Sequence, residues 1–264
     1  MSRSACVFII VFLYGECWGK LFHRNETTYL NRGKAIVVNK GPPPTYWDWR
    51  DRDMVSPVKN QLDCNACWAF SAVASIESHI KIYTDLKINL SEQFLIDCDK
   101  TSPGCKSQSI LKTFSHIVSD LGGVLLNDDY YEYSAAKTAC RWPGKPPVVP
   151  VVGFRRVFPN EDDIASSIFH YGPVSAGINS ASMAKYTNGI DQPTKEACPP
   201  DDLNHAILIV GYSVYVSKDG KESIPYWIIK NSWGVEWGDK GFYYLERGSN
   251  ACGIASDVSF PFVQ

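Results

Sequence analysis

The sequence predicts an α+β protein of two lobes, a helical first half and a mostly β second half, with a cleft between them. Three observations carry this. Apolar residues recur at helical spacing between Cys67 and Leu121. After Cys140 the chain turns to short runs rich in Val, Ile and Tyr, the composition of strands. Residues with chemical potential fall in both halves, Cys67 in the first and His205 and Asn231 in the second, so a site joining them lies between lobes.

The N-terminus reads as a secretory signal over residues 1–19. Arg3 supplies positive charge, Ala5–Tyr14 an apolar run, and Cys17-Trp18-Gly19 the small residues before a cleavage point. The apolar run is too short to span a bilayer, which takes about 20 residues, and no other stretch qualifies. Residues 20–44 are polar and end in Gly41-Pro42-Pro43-Pro44, a short pro-segment or arm. The globular domain is expected over 45–264.

Within it, Ala69, Val73, Ile76, Ile80 and Tyr83 fall on one face of a helix that starts at Cys67, with Ser71, Ser75, Ser78 and Lys81 largely off that face. Ser91 is an N-cap candidate with Glu92 in the following turn. Ile110, Phe114, Ile117 and Leu121 mark a third helix, stopped by Gly122-Gly123. Strands are predicted over Val148–Val157, Val174–Ile178, Ala206–Tyr212, Tyr226–Lys230 and Gly241–Glu246. A short helix, Asn160–Tyr171, separates the first two and ends at Gly172-Pro173. Lys218-Asp219-Gly220-Lys221 is a turn.

A net charge of −2 without a basic cluster argues against nucleic acid. Of nine cysteines, Cys6 and Cys17 leave with the signal. An odd number remains, so at least one thiol stays unpaired in a secreted chain. Cys67 is the candidate nucleophile, and an idle buried thiol is the plain alternative. Placed in the first turn of a helix, it would meet backbone N–H groups and a dipole that favour thiolate. His205, just before an apolar strand run, is the candidate base. His79, His116 and His170 lie in or at the ends of helical patterns and read as structural; His23 lies in the arm. Asn231 would accept from the imidazole and fix its orientation. Gln61, with the Cys67 backbone N–H, would donate to a developing oxyanion, and Trp233 would shield the His–Asn bond. Cys64-x-x-Cys67 could also be a redox pair or half a zinc site, but no βαβ context or further close ligands accompany it. Asn25-Glu26-Thr27 and Asn89-Leu90-Ser91 are glycosylation sequons.

The run Gln61-Leu62-Asp63-Cys64-Asn65-Ala66-Cys67-Trp68-Ala69-Phe70-Ser71, with Asn204-His205-Ala206 and Lys230-Asn231-Ser232-Trp233-Gly234, resembles the papain-like cysteine proteases, close to the cathepsin L group and insect-virus cathepsins. Leu90-Ser91-Glu92-Gln93, Asp97-Cys98, Gly172-Pro173-Val174-Ser175, Gly211-Tyr212 and Asn250-Ala251-Cys252-Gly253-Ile254 extend the likeness across Tyr46–Phe262. Asn231 falls slightly beyond the usual spacing of roughly 130–150 residues after the cysteine, and the polar stretch Ser217–Ser223 accounts for the extra length.

The resemblance implies a papain-like fold with a helical left lobe and a β-barrel-like right lobe. It implies cysteine endopeptidase action through a thiolate–imidazolium pair and an acyl-enzyme, with no cofactor or metal. It pairs Cys64 with Cys105, Cys98 with Cys140 and Cys198 with Cys252. An S2 pocket would form from Ser109, Ile110, Gly177, Leu203, Ala206 and Asp257. Polypeptide substrates, cystatin-type protein inhibitors, a monomeric state and an extracellular or lysosome-like compartment are the expected associations.

Three departures stand out. The family's long helical propeptide is matched only by residues 20–44. Asn65 replaces a glycine beside the P1 position, where a side chain is added and a positive φ is expected. Ser107 and Gln108 replace the glycine pair that runs beside P2 and P3, and are expected to crowd it. A catalytically weak, peptide-binding papain-fold protein is therefore the alternative function.

Overall fold

The computed structural model describes residues 28–29 and 37–264. The signal segment with Cys6 and Cys17, His23 and the Asn25 sequon lie outside the described residues. The elements are β1 (Thr28–Tyr29), β2 (Trp47–Asp48), α1 (Cys67–Thr84), α2 (Glu92–Cys98), α3 (Ile110–His116), β3 (Val151–Arg156), α4 (Glu161–His170), β4 (Val174–Ile178), β5 (Ile190–Asp191), β6 (His205–Val216), β7 (Ser223–Lys230), β8 (Phe242–Glu246) and β9 (Val258–Val263).

Two apolar cores match two lobes. One gathers Trp68, Phe94, Leu95 and Phe114 from α1, α2 and α3. The other gathers Ile164, Trp227, Tyr243 and Phe260 from α4 and the sheet. The strands run β1-β3-β9-β4-β6-β7-β8-β5, with β2 on β6. All pairs are antiparallel except β5 with β8.

Helix α1 differs from the amphipathic expectation. Every residue from Cys67 to Ile80 is buried, the serine face included. The helix lies between the lobes, and Ser71 and Ser75 join it to the β lobe, while Ser78 Oγ has no hydrogen-bond partner among the described residues. Ser71 Oγ donates to Ile207 O at 2.7 Å and Ser75 Oγ to Pro173 O at 3.2 Å, while Ser175 Oγ donates to Ser71 O at 3.0 Å. These bonds satisfy polar groups that burial would otherwise penalise. Ser91 Oγ accepts from Phe94 N at 3.1 Å and caps α2. Ser109 caps α3, which passes into a π turn over Ile117–Leu121 and ends at Gly122, φ +71°. Asn160 caps α4 through Asp162 N and Asp163 N.

Strand β9 has no counterpart in the sequence reading, because Pro261 breaks its pattern. Pro lacks the N–H that a central strand needs. Here β4 pairs with β9 only at Val258 and Ser259, so Pro261 faces β3 alone. Strands β6 and β7 run longer than expected and form a hairpin closed by the Lys218–Lys221 turn.

Packing begins before residue 45. Val38 N donates to His170 O at 2.8 Å, Asn39 Nδ2 donates to Phe169 O at 2.6 Å, and His170 Nε2 bonds Gly41 O at 2.9 Å. The arm thus satisfies carbonyls at the C-terminal end of α4 that have no partner within the helix. Disulfides join Cys64 to Cys105, Cys98 to Cys140 and Cys198 to Cys252. No helix among the described residues is long and apolar enough to cross a membrane.

Candidate active site

Cys67 is the first residue of α1, and among the described residues it is the free cysteine. No side chain caps the N-terminus of α1; Ala69 N and Phe70 N turn to Ala66 O, and the N–H groups of Cys67 and Trp68 are left to the sulfur. Cys64 is spent in its disulfide, which leaves no Cys64–Cys67 pair for redox exchange or metal binding. Burial pushes the thiol up to about 11, and backbone groups of Ala206, Trp68 and Cys67 itself pull the other way.

His205 opens β6 on the opposite lobe. Its Nε2–H donates to Asn231 Oδ1 at 2.8 Å. That bond commits Nε2 and leaves Nδ1 as the free base of the neutral ring. Burial lowers the imidazole to about 4, while Asn231 works to raise it. The indole of Trp233 lies against the ring, with centroids 4.8 Å apart. Asn231 follows β7 directly, and its own N–H donates to Gly241 O at 3.0 Å.

Gln61 is fixed on several sides. Its backbone N–H donates to Ser232 O at 2.8 Å, its Oε1 accepts from Ser232 Oγ at 2.7 Å, and its carbonyl accepts from Tyr133 Oη at 2.6 Å. Nε2 donates one proton to Cys64 O at 2.8 Å, leaving the second for another acceptor. The sequence assigns no role to Ser232, though it lies within the Asn231-Ser232-Trp233 run, and nothing local marks Tyr133.

Cys67 and His205 line a groove of about 310 Å³. Ser109, Ile110, Gly177, Leu203, Ala206 and Asp257 line it too, along with Ser107, Gln108 and Asn204. Asp257 Oδ2 accepts from Ile110 N at 3.2 Å, and burial raises its carboxyl above the ordinary value.

Two side chains behave differently from expectation. Asn65 is exposed and its φ is not positive; the positive φ of this loop belongs to Leu62, at 52°. The added side chain therefore enters solvent without backbone strain. Gln108 turns back toward its own lobe, with Nε2 3.3 Å from Asp99 Oδ2 and 3.2 Å from Thr113 Oγ1. Ser107 instead reaches across the groove, Oγ lying 3.5 Å from Asn204 O. The other histidines sit elsewhere. His79 Nε2 donates to Pro173 O at 2.9 Å, His116 pairs with Asp99, and His170 holds the arm.

A free thiol on a helix end faces an amide-oriented imidazole across a groove between two lobes. The papain family cysteine protease profile matches residues 43–262. The chain belongs to that family. It is 38% identical over 229 residues to mouse cathepsin F, covering 87% of this chain and 48% of that protein. It is 36% identical over 244 residues to the viral cathepsin of Cydia pomonella granulosis virus, covering 89% and 68%. The solved bromelain protease of Ananas comosus, in complex with the E64 inhibitor, superposes with TM-score 0.72 at 35% identity, covering 84% of this chain and all of that one. The chain thus spans about half the length of the cathepsin F relative and about two thirds of the viral one.

Proposed function

We propose that the protein is a cysteine endopeptidase acting on polypeptides, with Cys67 as nucleophile, His205 as general base and acid, and Asn231 orienting the ring. The observation that carries this is the free buried thiol at the α1 N-terminus, sharing one groove with an imidazole whose Nε2 is committed to Asn231.

Burial disfavours either charge alone, which is why thiol and imidazole are each pushed toward neutrality. Transfer of the thiol proton to Nδ1 creates both charges together, each stabilising the other. The helix dipole favours the sulfur and Asn231 Oδ1 the ring. The thiolate attacks the scissile carbonyl carbon. The C–O π electrons move to oxygen, which receives the Cys67 backbone N–H and the free Gln61 Nε2–H. Collapse breaks the C–N bond, and His205 gives its proton to the departing amine. Water, deprotonated by Nδ1, then cleaves the thioester and restores the thiol.

Three disulfides support passage through an oxidising compartment, in line with the signal-like N-terminus, and with that an extracellular or lysosome-like destination. A monomer open to cystatin-type inhibitors is part of the same reading. The contact of Ser107 with Asn204 across the groove favours a second reading, peptide binding without efficient turnover. A thiol-directed epoxide and a fluorogenic dipeptide separate the two. Stoichiometric labelling of Cys67 with turnover, both lost in Cys67→Ala, supports the peptidase. Labelling without turnover supports the binder, and a thiol inert to the epoxide removes the nucleophile.

A further inference from the structure

Gln108 lines the same groove as Cys67 and Asp257, yet its amide is turned back into its own lobe. Both protons of Nε2 have acceptors, Asp99 Oδ2 at 3.3 Å and Thr113 Oγ1 at 3.2 Å. Thr113 is free to accept because its own hydroxyl proton goes to Ser109 O at 3.0 Å. Gln108 Oε1 is buried and has no hydrogen-bond partner among the described residues. Turning the amide over would set Oε1 against the Asp99 carboxylate, so the two donor bonds fix its orientation.

The anchor is itself held in place. Asp99, at 2% exposure, follows the end of α2, and its Oδ1 accepts from Thr101 N at 2.8 Å and Thr101 Oγ1 at 3.0 Å. His116 Nδ1 lies 3.2 Å from the same oxygen. Thr113 is fully buried on α3. Two fixed acceptors, one beyond α2 and one on α3, therefore clamp one long side chain.

The groove beside this clamp is narrow. The hydroxyl of Ser107, on one of the shortest side chains, already lies 3.5 Å from Asn204 O on the far wall. A released Gln108 would be long enough to bridge the same gap, and Asn204 O and the Asp257 carboxylate would both accept its N–H groups. A polypeptide entering the groove would then have to displace it and restrict its rotamers.

We propose that Asp99 and Thr113 are positioning residues for substrate binding, which hold the Gln108 amide off the groove and so keep it open to a polypeptide. The inference rests on the polypeptide reading of the groove given above. Releasing one long side chain into the path of the substrate should weaken binding by about 3- to 10-fold.

The test is the Kd of the blocked tetrapeptide acetyl-Ala-Phe-Arg-Ala-amide, by calorimetric titration in a Cys67→Ala background, where no turnover is needed. Asp99→Ala and Thr113→Val are each compared with and without Gln108→Ala, their folding checked by circular dichroism. Weaker binding in either variant that disappears once Gln108→Ala is added supports the inference, because a merely structural loss would persist. With Cys67 intact, the same variants should raise KM and leave kcat unchanged. Unchanged Kd in the folded variants, or weakening that Gln108→Ala does not relieve, overturns it. If Asp99→Ala does not fold, Thr113→Val, which keeps the side chain's shape and leaves Asp99 in place, decides alone. Absent turnover with the peptide coupling intact overturns the peptidase reading only. A Cys67→Ala protein that binds no tetrapeptide overturns the polypeptide groove, and this inference with it.

Discussion

Asp257 offers a test of specificity that can be worked from its geometry. It lines the groove beside Leu203 and Gly177, and Oδ2 accepts the Ile110 N–H at 3.2 Å. A P2 arginine entering this pocket would meet a partly desolvated carboxylate, a contact worth about 1–2 kcal/mol or roughly 5- to 30-fold in kcat/KM. Because the α3 N-terminus already holds Oδ2, a fork across both oxygens is disfavoured, and about 5-fold is the expected value. Asp257→Asn is the right perturbation. It removes the charge and keeps an acceptor for Ile110, whereas Asp257→Ala leaves the Ile110 N–H without that acceptor, a loss of about 1 kcal/mol. The assay is the ratio of kcat/KM for matched P2 Arg and P2 Phe substrates. Burial raises the carboxyl above 3.8. Cleavage at P2 Arg should therefore lose its advantage as pH falls, starting while an ordinary aspartate would still be ionised; P2 Phe cleavage should lose less. An identical Arg-to-Phe ratio in wild type and Asp257→Asn refutes the reasoning.

Gln61→Ala should lower kcat by about 10²–10³ with a smaller change in KM, since the lost donor acts on the oxyanion; an unchanged kcat removes Gln61 from that role. Ser107→Gly removes the hydroxyl that reaches Asn204 O and should raise kcat/KM several-fold on dipeptide substrates by lowering KM, so an equal or lower value shows that the contact does not compete with substrate. His79, lowered to about 4 by burial, is neutral when folded but protonates from about 6.5 when unfolded, so stability is lost as pH falls from 6.5 toward 4. In a Cys67→Ala background that prevents self-digestion, His79→Gln should flatten this acid loss by about 3 kcal/mol in urea unfolding, and parallel curves would count against it.

The residues that now meet at the groove were legible because each lies in a short run of distinctive neighbours. Cys67 begins an apolar helical pattern, His205 precedes a continuous apolar strand, and Asn231 is followed by Ser232-Trp233-Gly234. Element types were equally legible where periodicity was strong, as in α1, α4 and β4. What escaped depends on long-range geometry. Pro261 hides β9 because local rules cannot see that one flank of the strand is unpaired there. The serine face of α1 reads as solvent-facing until a second lobe covers it. Gln108 and Ser107 are adjacent in sequence, yet one folds back and the other crosses the groove, a choice made by Asp99, Thr113 and Asn204. The ion pairs of Lys59 with Glu77 and Glu92 draw on three separate segments, none of which signals the others.

Helix α1 is a beam common to both halves of the molecule. Its apolar residues fill one core, and Ser71 is bonded to strands of the other through Ile207 and Ser175. Swinging the halves apart would sever those buried bonds, so they hold the mouth of the groove at its present width. A polypeptide substrate of the proposed peptidase would come to it as a single drawn-out strand. For a folded target protein, the rate of cutting would then be governed less by which residues it displays than by how often a stretch of its chain comes loose.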